Sequence, residues 1–106
     1  MIVTVGRVMT DAEKRDELVR IGKAIAQASR QEEGCISYRV YEDTERENEF
    51  VFVEEWESNE ALQEHFASSH IGEFMRAISG AIAGPPDVRF HTVAKSVDLA
   101  DVSAAS

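Results

Sequence analysis

The side chains best suited to chemistry fall in one stretch of the sequence: Glu54 and Trp56, then His65 and His70. An imidazole titrates near neutral pH and can take the proton of a phenolic hydroxyl. A carboxyl group set among aromatics titrates above its usual range unless a cation or a donor compensates. Glu54 shares one face of a strand with Phe50, Phe52 and Trp56 by simple alternation, so it becomes such a group if that face meets the interior. His65 follows Leu62 by three residues and precedes Phe66 by one, at the edge of an apolar stripe, and His70 opens the next helical stretch. Each also has a plainer reading: a carboxylate bonded near a sheet end, a core tryptophan, and histidines in structural hydrogen bonds.

Other chemistries are disfavoured. His65 and His70 lie about 140° apart around an unbroken helix, Ser68-Ser69 interrupts that helix, His91 is distant and no H-E-x-x-H motif occurs, so no metal site is expected. Cys35 opens a strand with no neighbour that favours a thiolate, and is read as a structural thiol. Arg76 lies off the apolar face of its helix and is read as solvated. There is no phosphate-cradling glycine loop, no G-x-S-x-G elbow and no flavin or nicotinamide fingerprint, so an enzyme built from this chain is expected to need no cofactor.

These groups need a scaffold, and the patterning supplies one. Ile2 to Met9 is a β-branched run that predicts a first strand, weakened locally by Gly6. Thr10 and Glu13 form a capping box that predicts a helix from Asp11, with Leu18, Ile21, Gly22, Ile25 and Ala28 or Ser29 on its apolar face. Gly34 suits a left-handed residue closing that helix. Cys35 to Asp43 and Glu49 to Glu57 read as an antiparallel hairpin joined through Thr44 to Asn48.

The second hairpin strand carries apolar side chains on both faces, Phe50, Phe52 and Trp56 against Val51 and Val53, although helices can cover only one. The uncovered face predicts a second sheet from another subunit. Tyr38 and Tyr41, an odd number apart, point to opposite faces, one toward the pocket and one toward the partner. Ser58 caps a short helix with Leu62, His65 and Phe66; a further helix carries Ile71, Phe74, Met75, Ile78 and Ile82 until Gly84-Pro85-Pro86. Val88 to Val97 is the last strand of a domain spanning residues 1–97, and 98–106 is a loosely held tail. The order βαββααβ predicts an α+β, ferredoxin-like subunit: one antiparallel sheet with its helices on one face.

A chain of 106 residues accommodates one domain with a thin core. Twenty acidic residues against eleven basic give a net charge of −9 with no basic stripe, which argues against nucleic acid and membrane surfaces as partners. One cysteine and no secretory pattern fit a reducing cytoplasm.

The ordered set Glu33-Gly34-Cys35 with Tyr38, Asn48-Glu49-Phe50-Val51-Phe52-Val53-Glu54-Glu55-Trp56, Ala61-Leu62, His65 and Ser69-His70 resembles the antibiotic biosynthesis monooxygenase family over roughly Ile2 to Val97. The resemblance implies a dimeric α/β barrel, two sheets face to face, with a pocket between sheet and helices in each subunit. It further implies a cofactor-independent monooxygenase that oxidises a quinol or phenolic aromatic with dioxygen. His65, His70 and Glu54 are then the catalytic candidates, and Trp56, Tyr38, Phe52, Phe66 and Phe74 the substrate-binding ones. The alternative within the family is a non-oxidative member that binds or isomerises a small molecule. Haem degradation is less favoured, because that branch uses an asparagine in the first strand and this strand has none.

Overall fold

Alternating burial in the β-branched and aromatic runs, and a 3.6-residue apolar period between them, produce four strands and three packed helices. The computed structural model describes residues 1–105, and Ser106, the last residue of the expected tail, lies outside the described residues. The elements are β1 (Ile2–Met9), a 3₁₀ turn (Ala12–Lys14), α1 (Arg15–Arg30), β2 (Cys35–Glu42), β3 (Glu49–Trp56), α2 (Asn59–Phe66), α3 (Ser69–Ser79), β4 (Asp87–Thr92) and α4 (Leu99–Ala105). The strands form one sheet in the order β2-β3-β1-β4, antiparallel throughout. This is the ferredoxin-like α+β arrangement expected from the sequence.

Register decides which side chains meet the helices. Ile2 pairs with Trp56, Thr4 with Glu54, Gly6 with Phe52 and Val8 with Phe50, so these eight share one face. Tyr38 joins them from β2 opposite Glu54, and Phe90 from β4 opposite Thr4. Phe50, Phe52, Trp56 and Tyr38 are buried there beneath Leu18 and Ile25 of α1, Leu62 of α2 and Ile71 and Ile78 of α3. At the middle of β1 this inward row narrows to Thr4 and Gly6, where larger side chains would fill the space between sheet and helices.

The opposite face carries Val3 and Val5 from β1 and Val51 and Val53 from β3, all half-buried with no helix over them, and Tyr41 half-exposed beside them. Tyr38 is therefore the tyrosine on the helix side and Tyr41 the one on the open face.

Several local expectations change. The capping box does not form: Thr10, buried, donates its hydroxyl to the Ala81 carbonyl instead, and α1 starts at Arg15 after the 3₁₀ turn. A buried hydroxyl needs a strong acceptor, and the chain leaving α3 presents one. Gly34 is not left-handed; among the described glycines only Gly84, at φ 99°, has positive φ. A Cβ on Gly34 would lie 2.2 Å from the Ala61 Cβ, so glycine is there to let the turn after α1 touch α2. The last strand stops at Thr92 rather than Val97. Among the described residues β4 is an edge strand paired with β1, and the ladder ends at the Ile2–Thr92 pair, with Val93 donating to the Met1 carbonyl. Beyond it, Leu99–Ala105 forms the short helix α4, with Leu99 82% exposed.

Candidate functional site

The narrowed middle of β1 opens into a cavity of about 370 Å³ between the sheet and α2 and α3. Its walls are almost wholly apolar: Phe52 and Gly6 on the sheet, Ile71, Phe74 and Ile78 on α3, and a rim that includes Phe66, Met75, Val88 and Phe90. The rim residues are each between 41% and 50% exposed, so the cavity communicates with solvent past an apolar mouth. The polar side chains on its wall are Thr4, Tyr38, Glu54 and His65. An enclosure of this size with few polar groups suits an apolar small molecule.

Glu54 projects from β3 on the inward face and is 8% exposed. The Trp56 indole N–H donates to its Oε1 at 3.1 Å. Burial pushes its carboxyl up to about 7, with the Trp56 indole and the Tyr38 hydroxyl pulling the other way and the charge of Glu32 adding to the rise. Burial likewise raises the Tyr38 phenol, reinforced by Glu54, so Tyr38 stays a neutral donor.

His65 comes from α2, which Ser58 caps by accepting from the Ala61 N–H. The ring is 2% exposed and packs on Trp56, with centroids 4.4 Å apart. Its Nδ1 lies 2.7 Å from Oε2 of Glu32, in the turn after α1. His70 Nε2 lies 2.8 Å from the same oxygen. A carboxylate only accepts, so both imidazoles present N–H to it, and His65 keeps its lone pair on Nε2. Burial holds the His65 imidazole below its ordinary value, against the opposing pull of Glu32. It is therefore neutral and basic at physiological pH.

Of the candidates named from sequence, Glu54, His65, Tyr38, Phe52, Phe66 and Phe74 line one cavity. His70 does not line it and is connected to it through Glu32. Trp56, 0% exposed, is also absent from the wall; it sits behind Glu54 and His65, donating to one and stacking on the other. Glu32 and Thr4 are the residues sequence reasoning missed. Glu32 follows the end of a helix, where no periodicity assigns a direction, whereas Thr4 was readable from the alternation of β1. Burial pushes the Cys35 thiol up to about 11, in keeping with a structural role.

A ferredoxin-like sheet with helices on one face and an apolar cavity between them, carrying a carboxyl and a carboxylate-bound imidazole, defines a small α+β protein built around a buried small-molecule pocket. The chain belongs to the antibiotic biosynthesis monooxygenase family, whose model matches residues 1–77. It is 32% identical to the uncharacterized protein sll1783 of Synechocystis over 92% of this chain and 67% of that one. It is also 32% identical to YcnE of Bacillus subtilis, named as a candidate monooxygenase, over 83% of this chain and 93% of that one. Rv0793 of Mycobacterium tuberculosis superposes with a TM-score of 0.85 at 26% identity, covering 92% of this chain and 98% of the other. No helix among the described residues is long and apolar enough to cross a membrane.

Proposed function

We propose that the protein is a cytoplasmic, cofactor-independent monooxygenase of a quinol or phenolic aromatic, with His65 as the base. The observation that carries this is the His65 to Glu32 hydrogen bond at 2.7 Å, which directs a neutral imidazole's lone pair to Nε2 on a ring that lines the cavity. A phenolic ring enters the cavity past Phe66 and Phe90 and lies against the edge-packed pair Phe52 and Phe74, and Nε2 takes its hydroxyl proton; Glu32 stabilises the imidazolium that results. The phenolate, held away from water, is electron-rich enough to reduce dioxygen directly. One oxygen atom bonds to a ring carbon that carries hydrogen: in a phenol the carbon opposite the hydroxyl, where it becomes a carbonyl, and in a hydroquinone a free carbon beside a hydroxyl, where it becomes the hydroxyl of a hydroxyquinone. The other leaves as water with two of the substrate's hydrogens, so substrate electrons reduce the oxygen and no flavin is required. Glu54, close to half protonated at neutral pH, supplies a proton or a hydrogen bond to oxygen as it is reduced.

The working unit is a homodimer joined through the open sheet face, where Val3, Val5, Val51 and Val53 supply the apolar contact. Aerobic incubation with a panel of hydroquinones and polycyclic phenols tests the activity. Oxygen uptake above the autoxidation rate is expected, and it should fall by roughly 10²- to 10⁴-fold in His65→Ala, the range of a lost general base. Equal rates for the variant and the parent would remove His65 from the mechanism.

A further inference from the structure

The local spacing of His65 and His70 gives no reason to expect a metal, but the turn after α1 delivers a third donor that the spacing does not contain. Nδ1 of His65, Nε2 of His70 and Oε2 of Glu32 all lie within 4.8 Å of one another. They come from three separate elements, and their side chains are 3%, 25% and 17% exposed, so the cluster is held from within and reachable from one side. Stacking on Trp56 fixes the His65 ring, and Gly34 lets the turn that carries Glu32 press against α2.

We propose that Glu32, His65 and His70 form a binding site for a divalent transition ion, zinc in the first place. Two imidazoles and one carboxylate are a borderline donor set that suits such ions rather than magnesium or calcium. Tetrahedral zinc holds nitrogen and oxygen at about 2.0–2.2 Å, which spaces its ligand atoms by roughly 3.3 Å. Glu32 Oε2 now sits 2.7 and 2.8 Å from the two nitrogens, so an ion needs the carboxylate to swing out by about half an ångström and the two imidazole nitrogens, which lie within 4.8 Å of each other, to settle at that same spacing. Three protein ligands leave a coordination position for water.

The ion takes the place of the two N–H groups that Glu32 now accepts. Coordinated through Nδ1, a neutral His65 carries its proton on Nε2 and has no lone pair to offer the cavity. Zinc and the base function are thus mutually exclusive at the same ring, and the metal acts as an inhibitor of the oxygenase. That consequence rests on the proposed function; the site itself does not.

Titration of the EDTA-stripped, full-length protein with zinc chloride alone, by calorimetry in a non-chelating buffer, tests the site. One saturable event per chain is expected, weakened at least roughly tenfold in both Glu32→Gln and His70→Ala, as loss of a ligand demands, and unaltered in His91→Ala, on exposed β4. Cobalt should give a visible spectrum of tetrahedral intensity that His70→Ala loses. Absence of a saturable event below about 100 μM, a value far weaker than structural zinc, would overturn the proposal, as would parent affinity retained in Glu32→Gln or in His70→Ala. Either result leaves oxygen uptake by the metal-free protein untouched, and failure of that uptake would leave the zinc titration untouched.

Discussion

In the proposed mechanism, Glu32 gives His65 the defined tautomer that a base needs. Without it, burial still keeps the imidazole neutral, but nothing fixes which nitrogen carries the proton. Glu32→Gln should therefore reduce kcat by at least roughly tenfold with little change in KM, in the direction seen when a carboxylate orienting a triad histidine is neutralised. A KM effect alone, read from initial rates of oxygen uptake, would show that Glu32 acts on substrate binding and not through the His65 tautomer.

Glu54 makes a prediction about stability. Its carboxyl stands at about 7 in the fold against 4.5 in the free side chain. The folded state holds the proton to higher pH than the unfolded chain, so this group's contribution is fullest below about pH 4.5 and is lost as pH rises through 7. Between pH 5 and 8 the parent should lose about 2–3 kcal/mol more than Glu54→Gln. Urea denaturation at several pH values measures the difference, and parallel curves would deny the burial cost.

At the scale of elements, the turn after α1 and the start of α2 act as one piece. Gly34 touches Ala61, and the Glu57 N–H donates to the Gly34 carbonyl at 2.9 Å, tying the turn to the end of β3. Gly34→Ala should destabilise the fold by about 1–3 kcal/mol through overpacking and lower activity in the folded fraction by moving Glu32 from His65. Thermal unfolding combined with rates corrected for folded protein separates the two effects. A variant with parent stability would show that the turn has slack.

Much of this was legible in the residues. The two-faced apolar pattern of Glu49–Trp56 placed Glu54 among Phe50, Phe52 and Trp56, and Ser58 marked the start of the helix that holds His65. Local patterns failed where a distant contact decides. Thr10 looked like half of a capping box, yet its hydroxyl is taken by Ala81, far along the chain. Gly34 looked like a left-handed cap, yet what requires glycine is a helix it meets only in three dimensions. The pairing of Glu32 with both histidines is likewise set by the packing of α1, α2 and α3, which no single segment encodes.

At the scale of the molecule, one face of the sheet serves the pocket and the other stands open. In the proposed dimer a second copy covers four half-buried valines that no helix among the described residues covers. The parent is expected to sediment at twice its 11.8 kDa chain mass, and Val53→Asp, which puts a charge at the centre of that face, should give monomer or aggregate. A stable parent monomer would remove the barrel.

In the proposed mechanism the substrate itself reduces dioxygen in the cavity beside His65. Turnover of a phenolic substrate under ¹⁸O₂, followed by mass spectrometry of the product, tests it most directly. One labelled oxygen atom in the new ring carbonyl, from metal-free and flavin-free protein, is the predicted result. A product with no label, or dioxygen recovered only as hydrogen peroxide, would contradict it.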